Sequence, residues 1–159
     1  AFLIETMGRN CGYLAVMAGV IGGAEVILIP EAEMTIPEVA AVVESAYKRG
    51  KTHSIVVISE GASVKTTELS KALNNMEVGF STRVTILGHI QRGGRPSAFD
   101  RLLATRLGVK AVDAILSGQT DVMMGLRGRD IEAAPLEEVV SKQREANLDY
   151  YEMAKMLAF

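Results

Sequence analysis

Four short apolar runs punctuate the chain as far as residue 87: Phe2-Leu3-Ile4, Val26-Ile27-Leu28-Ile29, Ile55-Val56-Val57-Ile58 and Val84-Thr85-Ile86-Leu87. They are rich in β-branched residues and lack polar alternation, the pattern of strands covered on both faces, so they predict a parallel sheet. Between them, Val39, Val42, Val43, Ala46 and Tyr47 fall on one stripe of a 3.6-residue period and predict a helix lying on that sheet. Its start is marked by Thr35 with Glu38 three residues on and by Pro37 in the first turn, and Gly50 stops it. A Gly- and Ala-rich helix is expected from Asn10 to about Ile21, ended by Gly22-Gly23, and another near Thr67 to Met76. A longer one should run from Ser97 to about Leu116, with Phe99, Leu102, Leu103, Leu107, Ala111, Ala114 and Ile115 on one stripe and Gly118 closing it. Val122 to Leu126 reads as an edge or separate strand, with two shorter helices near Glu137 and Tyr150. Strands alternating with helices imply an α/β fold, a three-layer α/β/α arrangement around a doubly wound, mostly parallel sheet.

The 159 residues, 48% of them apolar, suffice for one compact domain with an ordinary core. A net charge of −2 with acids and bases interspersed argues against nucleic-acid binding or a polybasic membrane surface. The single cysteine, Cys11, excludes an intrachain disulfide framework, and no Cys/His cluster offers a structural zinc site, so a cytoplasmic location is expected. No apolar run reaches the length of a membrane span. The chain opens directly on Phe2-Leu3-Ile4 without a leader or cap, which reads as a piece of a longer protein.

Candidate chemistry gathers where strands end. Met7-Gly8-Arg9 lies where the first strand gives way to a helix: backbone N–H groups there bind anions, glycine permits close approach, and Arg adds a charged fork. The alternative is a merely solvated turn. Gly88-His89-Ile90-Gln91-Arg92-Gly93-Gly94 follows another strand, where open α/β sheets bind ligands; His89 and Arg92 could converge on one phosphate, or His89 could simply satisfy backbone groups. Glu60, just past the third strand, is either a third contributor or a solvated strand end. Cations with one carboxylate form the inventory that a phosphorylated sugar requires. At the opposite edge, Gly22-Gly23-Ala24-Glu25 and Arg49-Gly50-Lys51-Thr52-His53 precede strands; they could hold a second anionic ligand or only solvate loop ends.

Glu5 to Gly12, Gly22 to Pro30 and Arg83 to Pro96, the last containing Leu-Gly-His-Ile-Gln-Arg-Gly-Gly-Arg-Pro, together closely resemble the 6-phosphofructokinase family, with the match running from Ala1 to about Leu116. The resemblance implies a Rossmann-like sheet and a portion of an enzyme that phosphorylates fructose 6-phosphate to fructose 1,6-bisphosphate in glycolysis. It implies that Met7, Gly8 and Arg9 contact the sugar phosphate, with Arg9 also steadying the phosphoryl group in flight. Glu60 would bind sugar hydroxyls, and His89 and Arg92 would grip the 6-phosphate together with Arg83 from a neighbouring subunit. In bacterial members the loops matching Gly23, Ala24 and Glu25, and Arg49, Lys51 and His53, line an allosteric nucleotide site where Glu25 would meet a magnesium ion. Thr52 stands where many bacterial members carry lysine, a departure at that site.

By the same resemblance the catalytic aspartate, the Gly-rich nucleotide loop and the aspartate that holds Mg2+ precede Ala1, so ATP or pyrophosphate would be bound elsewhere and this segment alone should be inactive. Residues 1–92 and 142–159 would form the sugar-phosphate domain, while 93–141 would pack on a nucleotide domain or fold onto the same domain. The family's intact members imply a homo-oligomer, a tetramer. A different reading is a non-catalytic module that senses a phosphosugar or nucleotide, and a third is a purely structural subunit.

Overall fold

A computed structural model describes residues 1–76, 81–142 and 144–158. The chain divides into two compact units, one of residues 1–93 with 145–159 and the other of residues 94–144.

The first unit is built on four parallel strands, β1 (Phe2–Thr6), β2 (Val26–Leu28), β3 (Ile55–Ser59) and β4 (Arg83–Ile86), in the order β2-β3-β1-β4. The register sets Leu3 beside Val56 and Val84, and Val26 beside Val56. Each predicted apolar run therefore became a strand. Side chains alternate across the sheet with a period of two, which sorts one run into two cores. Val26, Leu28, Val56 and Ile58 face a cluster completed by Val39 and Val43 of α2 (Ile36–Lys48) and Leu69 and Leu73 of α3 (Thr66–Asn75). Ile27, Ile29 and Val57 face the other, completed by Ala15 and Val16 of α1 (Tyr13–Gly22) and Tyr151 and Ala154 of α6 (Leu148–Leu157). Helices on both faces of a parallel sheet make the three-layer α/β/α fold. Double coverage holds for β2 and β3, but β4 is an outer strand, and Val84 and Ile86 remain exposed.

Local signals account for most helix limits. The Thr35 N–H and hydroxyl both donate to Glu38 at 2.7 Å, closing the start of α2 as its sequence predicts. The end of α1 is fixed by Gly23, whose φ of 66° is left-handed and lets the Ala24 N–H reach the Gly19 carbonyl at 2.9 Å. The start of α1 differs from expectation. It begins at Tyr13 rather than near Asn10, because Arg9 adopts a left-handed φ of 51° and the Cys11 N–H is bonded to the Gly8 carbonyl at 3.0 Å.

In the second unit, α4 (Ala98–Leu116) is capped by Ser97, whose hydroxyl accepts from the Asp100 N–H at 3.2 Å. It meets a hairpin of β5 (Val122–Arg127) and β6 (Asp130–Pro135), followed by α5 (Leu136–Ser141). The hairpin turns at Gly128-Arg129, with Gly128 at φ 62°. The sequence reading did not contain β6, whose residues Asp130 to Pro135 lack a β-branched run. Of the predicted α4 stripe only Ala114 is buried, while Phe99, Leu102 and Ile115 are exposed.

Candidate functional site

Parallel strands deliver their following loops to one edge, and β1, β3 and β4 do so side by side. Two bonds extend the ladder just beyond the strands: the Glu60 N–H reaches the Thr6 carbonyl at 2.9 Å, and the Leu87 N–H reaches the Glu5 carbonyl at 3.1 Å. The three loops consequently leave the sheet locked together.

The Met7-Gly8-Arg9 turn is held by side chains from both neighbours. Glu60 Oε1 accepts from the Arg9 N–H at 2.7 Å and the Gly8 N–H at 3.1 Å, and Gln91 Oε1 accepts from the Met7 N–H at 2.7 Å. Both bonds to Glu60 end on Oε1; Oε2 takes neither. The Arg9 N–H, then the Gly8 N–H and the charges of Arg9 and Arg92, hold the Glu60 carboxyl below its usual range against a small opposing effect of burial. Glycine is required at two points. Gly8 has φ 154°, and a Cβ there would lie 2.4 Å from the Cys11 carbonyl oxygen; a Cβ on Gly61 would lie 1.8 Å from that of Arg9. Lys65 Nζ anchors the far side of the Glu60 loop through the Glu60 and Ala62 carbonyls, at 3.2 and 3.0 Å.

Met7, Gly8, Arg9, Leu14, Glu60, Gln91 and Arg92 line one cleft of about 310 Å³. Arg9 and Arg92 are exposed, so the cleft joins two guanidinium side chains to a carboxylate at a sheet edge. Such a set can hold an anionic group and hydroxyls at once.

The structure gathers some sequence candidates here and leaves others apart. Met7, Gly8, Arg9, Glu60 and Arg92 come together. His89 lies on the same 3₁₀ turn as Arg92, Gly88–Arg92, but is not among the cleft residues. Residues three apart in a 3₁₀ turn share one side, which sets His89 behind Arg92 by about 6 Å of rise. Arg83 begins β4 beside Phe2, at the opposite edge, and lines a separate cavity with Tyr47, Thr52 and His53. Gln91 and Leu14 were missed. The polar residue next to Arg92 was visible as a type, but nothing local says that its amide turns back to Met7, 84 positions away.

The amino-edge candidates fall into more than one place. Glu25 Oε1 binds Lys51 Nζ at 2.9 Å and Oε2 accepts from the Ile55 N–H at 2.6 Å. Burial alone would raise the Glu25 carboxyl pKa, but the Ile55 N–H and the bond and charge of Lys51 outweigh it and leave it lowered. Both oxygens of Glu25 thus already have donors, and a cation on Oε1 would have to displace Lys51. Among the described residues there is no group of three His, Cys, Asp or Glu placed to hold a metal ion. Gly23 is exposed at its helix cap. Arg49 donates to Ser45 Oγ at 2.7 Å and the Ala158 carbonyl at 3.0 Å, whereas His53 Nδ1 sits 3.4 Å from the Thr52 hydroxyl. Ala24, Glu25 and Arg49 line one cavity, and Lys51 and His53 another.

The fold and cleft define a doubly wound α/β protein with an anion-receptive site at the carboxyl edge of its sheet. A phosphofructokinase family model matches residues 1–115. The chain belongs to the phosphofructokinase family. It is 43% identical over 157 residues to the ATP-dependent 6-phosphofructokinase of Natranaerobius thermophilus, covering 99% of this chain and 49% of that protein. It is 44% identical over 158 residues to the ATP-dependent 6-phosphofructokinase of Thermotoga neapolitana, with the same coverage of 99% and 49%. The chain therefore spans about half the length of the curated relatives it matches. The crystal structure of Pichia pastoris phosphofructokinase in the T-state superposes with a TM-score of 0.78 at 36% identity, over 89% of this chain and 16% of that one. The pyrophosphate-dependent phosphofructokinase of Marinobacter aquaeolei also superposes at 0.78, with 29% identity over 94% of this chain and 42% of that one. Among the described residues no helix is long and apolar enough to cross a membrane.

Proposed function

We propose that this chain is the fructose-6-phosphate-binding portion of a glycolytic, cytoplasmic 6-phosphofructokinase. The observation that carries the reading is the convergence of Met7-Gly8-Arg9, Glu60 and Arg92 in one cleft. Arg92, with His89 one turn behind it on the same 3₁₀ helix, grips the 6-phosphate. Glu60, ionised at neutral pH and steadied by two backbone N–H groups, accepts from sugar hydroxyls through the oxygen that those bonds leave over. Met7 and Gly8 set the backbone of the turn, and Arg9 places positive charge where the transferring phosphoryl group becomes most negative. Arg83, at the other edge, serves the cleft of a neighbouring subunit in a homotetramer.

ATP is the donor that the names of the similar curated proteins favour, over pyrophosphate. When bound with Mg2+ it supplies the phosphoryl group; this chain's residues hold and orient the acceptor. Gly23, Ala24, Glu25, Arg49, Lys51 and His53 belong to an allosteric nucleotide site, with Lys51 yielding Glu25 Oε1 to the effector's magnesium. Phosphoryl transfer needs a base, a metal and a donor held in line, so residues 1–159 by themselves are expected to turn over no substrate.

The test is Arg9→Ala in the full-length enzyme, assayed with fructose 6-phosphate and either donor. Loss of a cation made useful only in the transition state should lower kcat by about 10²-fold or more. A change within about threefold would end the role given to Arg9. Retained sugar-phosphate binding with no turnover by the full-length protein would instead favour the sensing module.

A further inference from the structure

The loop that carries Glu60 meets the Met7-Gly8-Arg9 turn at Gly61, and its position there decides whether the Glu60 carboxylate reaches the Arg9 and Gly8 N–H groups. The loop's own N–H groups are tied back to the strands: that of Glu60 to the Thr6 carbonyl and that of Ala62 to the Ser59 carbonyl, both at 2.9 Å. The two carbonyls that flank Gly61, those of Glu60 and Ala62, both accept from Lys65 Nζ, at 3.2 and 3.0 Å.

Lys65 is a firm post. It stands at the N-cap of α3, and its carbonyl accepts at 2.9 Å from the N–H of Leu69, whose side chain is fully buried. The hydroxyl of the next residue, Thr66, donates to Glu5 Oε2 on β1 at 2.5 Å. Helix stability does not account for a lysine at this position. N-caps favour Ser, Thr, Asp and Asn, a cation there lies at the positive end of the helix dipole, and the Lys65 side chain makes no cap bond. Lys65 does not line the cleft, and the charges that lower the Glu60 carboxyl are those of Arg9 and Arg92. Its link to Glu60 therefore runs through the geometry of the loop, by way of the two carbonyls.

We propose that Lys65 is a positioning residue of the sugar-phosphate cleft: it clamps the carbonyls on either side of Gly61, keeps the Glu60 carboxylate on the Arg9 turn, and so sets affinity for the sugar phosphate rather than the rate of phosphoryl transfer. The identity of the ligand rests on the function proposed above; the clamp itself does not.

The test is Lys65→Met in the 159-residue chain, which keeps the length of the side chain and removes the donor. Lys65 is exposed, so the melting temperature should stay within about 3 °C. Amide exchange at Gly8 and Arg9 should quicken about fivefold, and the Glu60 carboxyl, followed by carbon NMR, should titrate closer to an ordinary glutamate because its two N–H partners are held less firmly. Fructose 6-phosphate should bind about fivefold more weakly by calorimetry, the worth of one modest hydrogen bond, and Lys65→Arg should restore most of the loss. In the full-length enzyme KM should rise while kcat stays within about twofold. In a Glu60→Ala background Lys65→Met should cost no further affinity, since the carboxylate that it positions is gone. If Lys65→Met fails to fold, Lys65→Gln, too short to span both carbonyls, supplies the same measurements. Unmoved Glu60 titration with unmoved exchange, or losses that add in the Glu60→Ala background, would each overturn the proposal. Failure of the unaltered chain and of the full-length enzyme to bind fructose 6-phosphate would instead refute the reading of the cleft, and the titration and exchange would still decide the clamp.

Discussion

Replacing Gly61 by alanine adds a single carbon where two loops cross. The new Cβ would stand 1.8 Å from the Arg9 carbonyl oxygen and 2.9 Å from its carbon, and both are backbone atoms. A relaxed contact needs roughly 3.5 Å, so one loop must retreat by about 1.5 Å. Neither is free to do so. Arg9 and Gly8 are bonded to Glu60, Met7 to Gln91, and the Glu60 loop to Lys65. Overpacking of this kind costs about 2 kcal/mol, which in a domain of this size lowers the melting temperature by roughly 6–10 °C. The retreat also pulls Glu60 off the Arg9 N–H, so under the proposed function the affinity for fructose 6-phosphate should fall on the order of tenfold or more. Thermal unfolding by circular dichroism reads the first effect and calorimetric titration the second. Gly108→Ala supplies the control: it lies inside α4, its Cβ would meet nothing within 4 Å, and helix propensity favours it by about 1 kcal/mol. If Gly61→Ala melted within about 1 °C of the unaltered chain and bound the sugar phosphate equally well, the crossing of these loops would not be what shapes the cleft.

Two further outcomes follow from the same geometry. The Glu60 carboxyl pKa is lowered in the folded chain, so the stabilisation from its ionised bonds is complete above the ordinary value of about 4.3 and is lost as pH falls through the lower folded value. The difference in urea midpoint between the unaltered chain and Glu60→Gln should therefore be largest at pH 7 and shrink below about pH 4; a difference constant with pH would refute it. Glu31 Oε1 accepts from the Gly12 N–H at 2.9 Å and the Ala146 N–H at 2.8 Å, tying the start of α1 to the segment that leads into α6. Glu31→Ala strands both partly buried donors at a cost of about 2 kcal/mol or more, and hydrogen exchange should quicken at Gly12, Ala146 and through α6. Unchanged protection in α6 would show that this carboxylate does not hold the C-terminal helix.

Much of the fold was legible because its causes are local. Val26 to Ile29 and Ile55 to Ile58 are strands because continuous β-branched runs suit burial on two faces, and Thr35 and Glu38 start a helix through atoms three residues apart. The carboxyl-edge clustering of Arg9, Glu60 and Arg92 was legible too, since parallel strands send their following loops the same way. What escaped depends on tertiary neighbours. Asp130 to Pro135 is a strand only because β5 lies beside it. The start of α1 is delayed by a turn that Glu60 holds from 51 positions away, and Gln91 is a cleft residue only because its amide meets Met7. The split of the amino-edge candidates between two cavities arises from side-chain volumes meeting across elements. Sequence alone determined most of the strands and helices and which residue types emerge at each edge, because those follow from short-range periodicity. Only the tertiary structure decided which side chains touch and where space is left, because those depend on distances between residues that the chain itself keeps far apart.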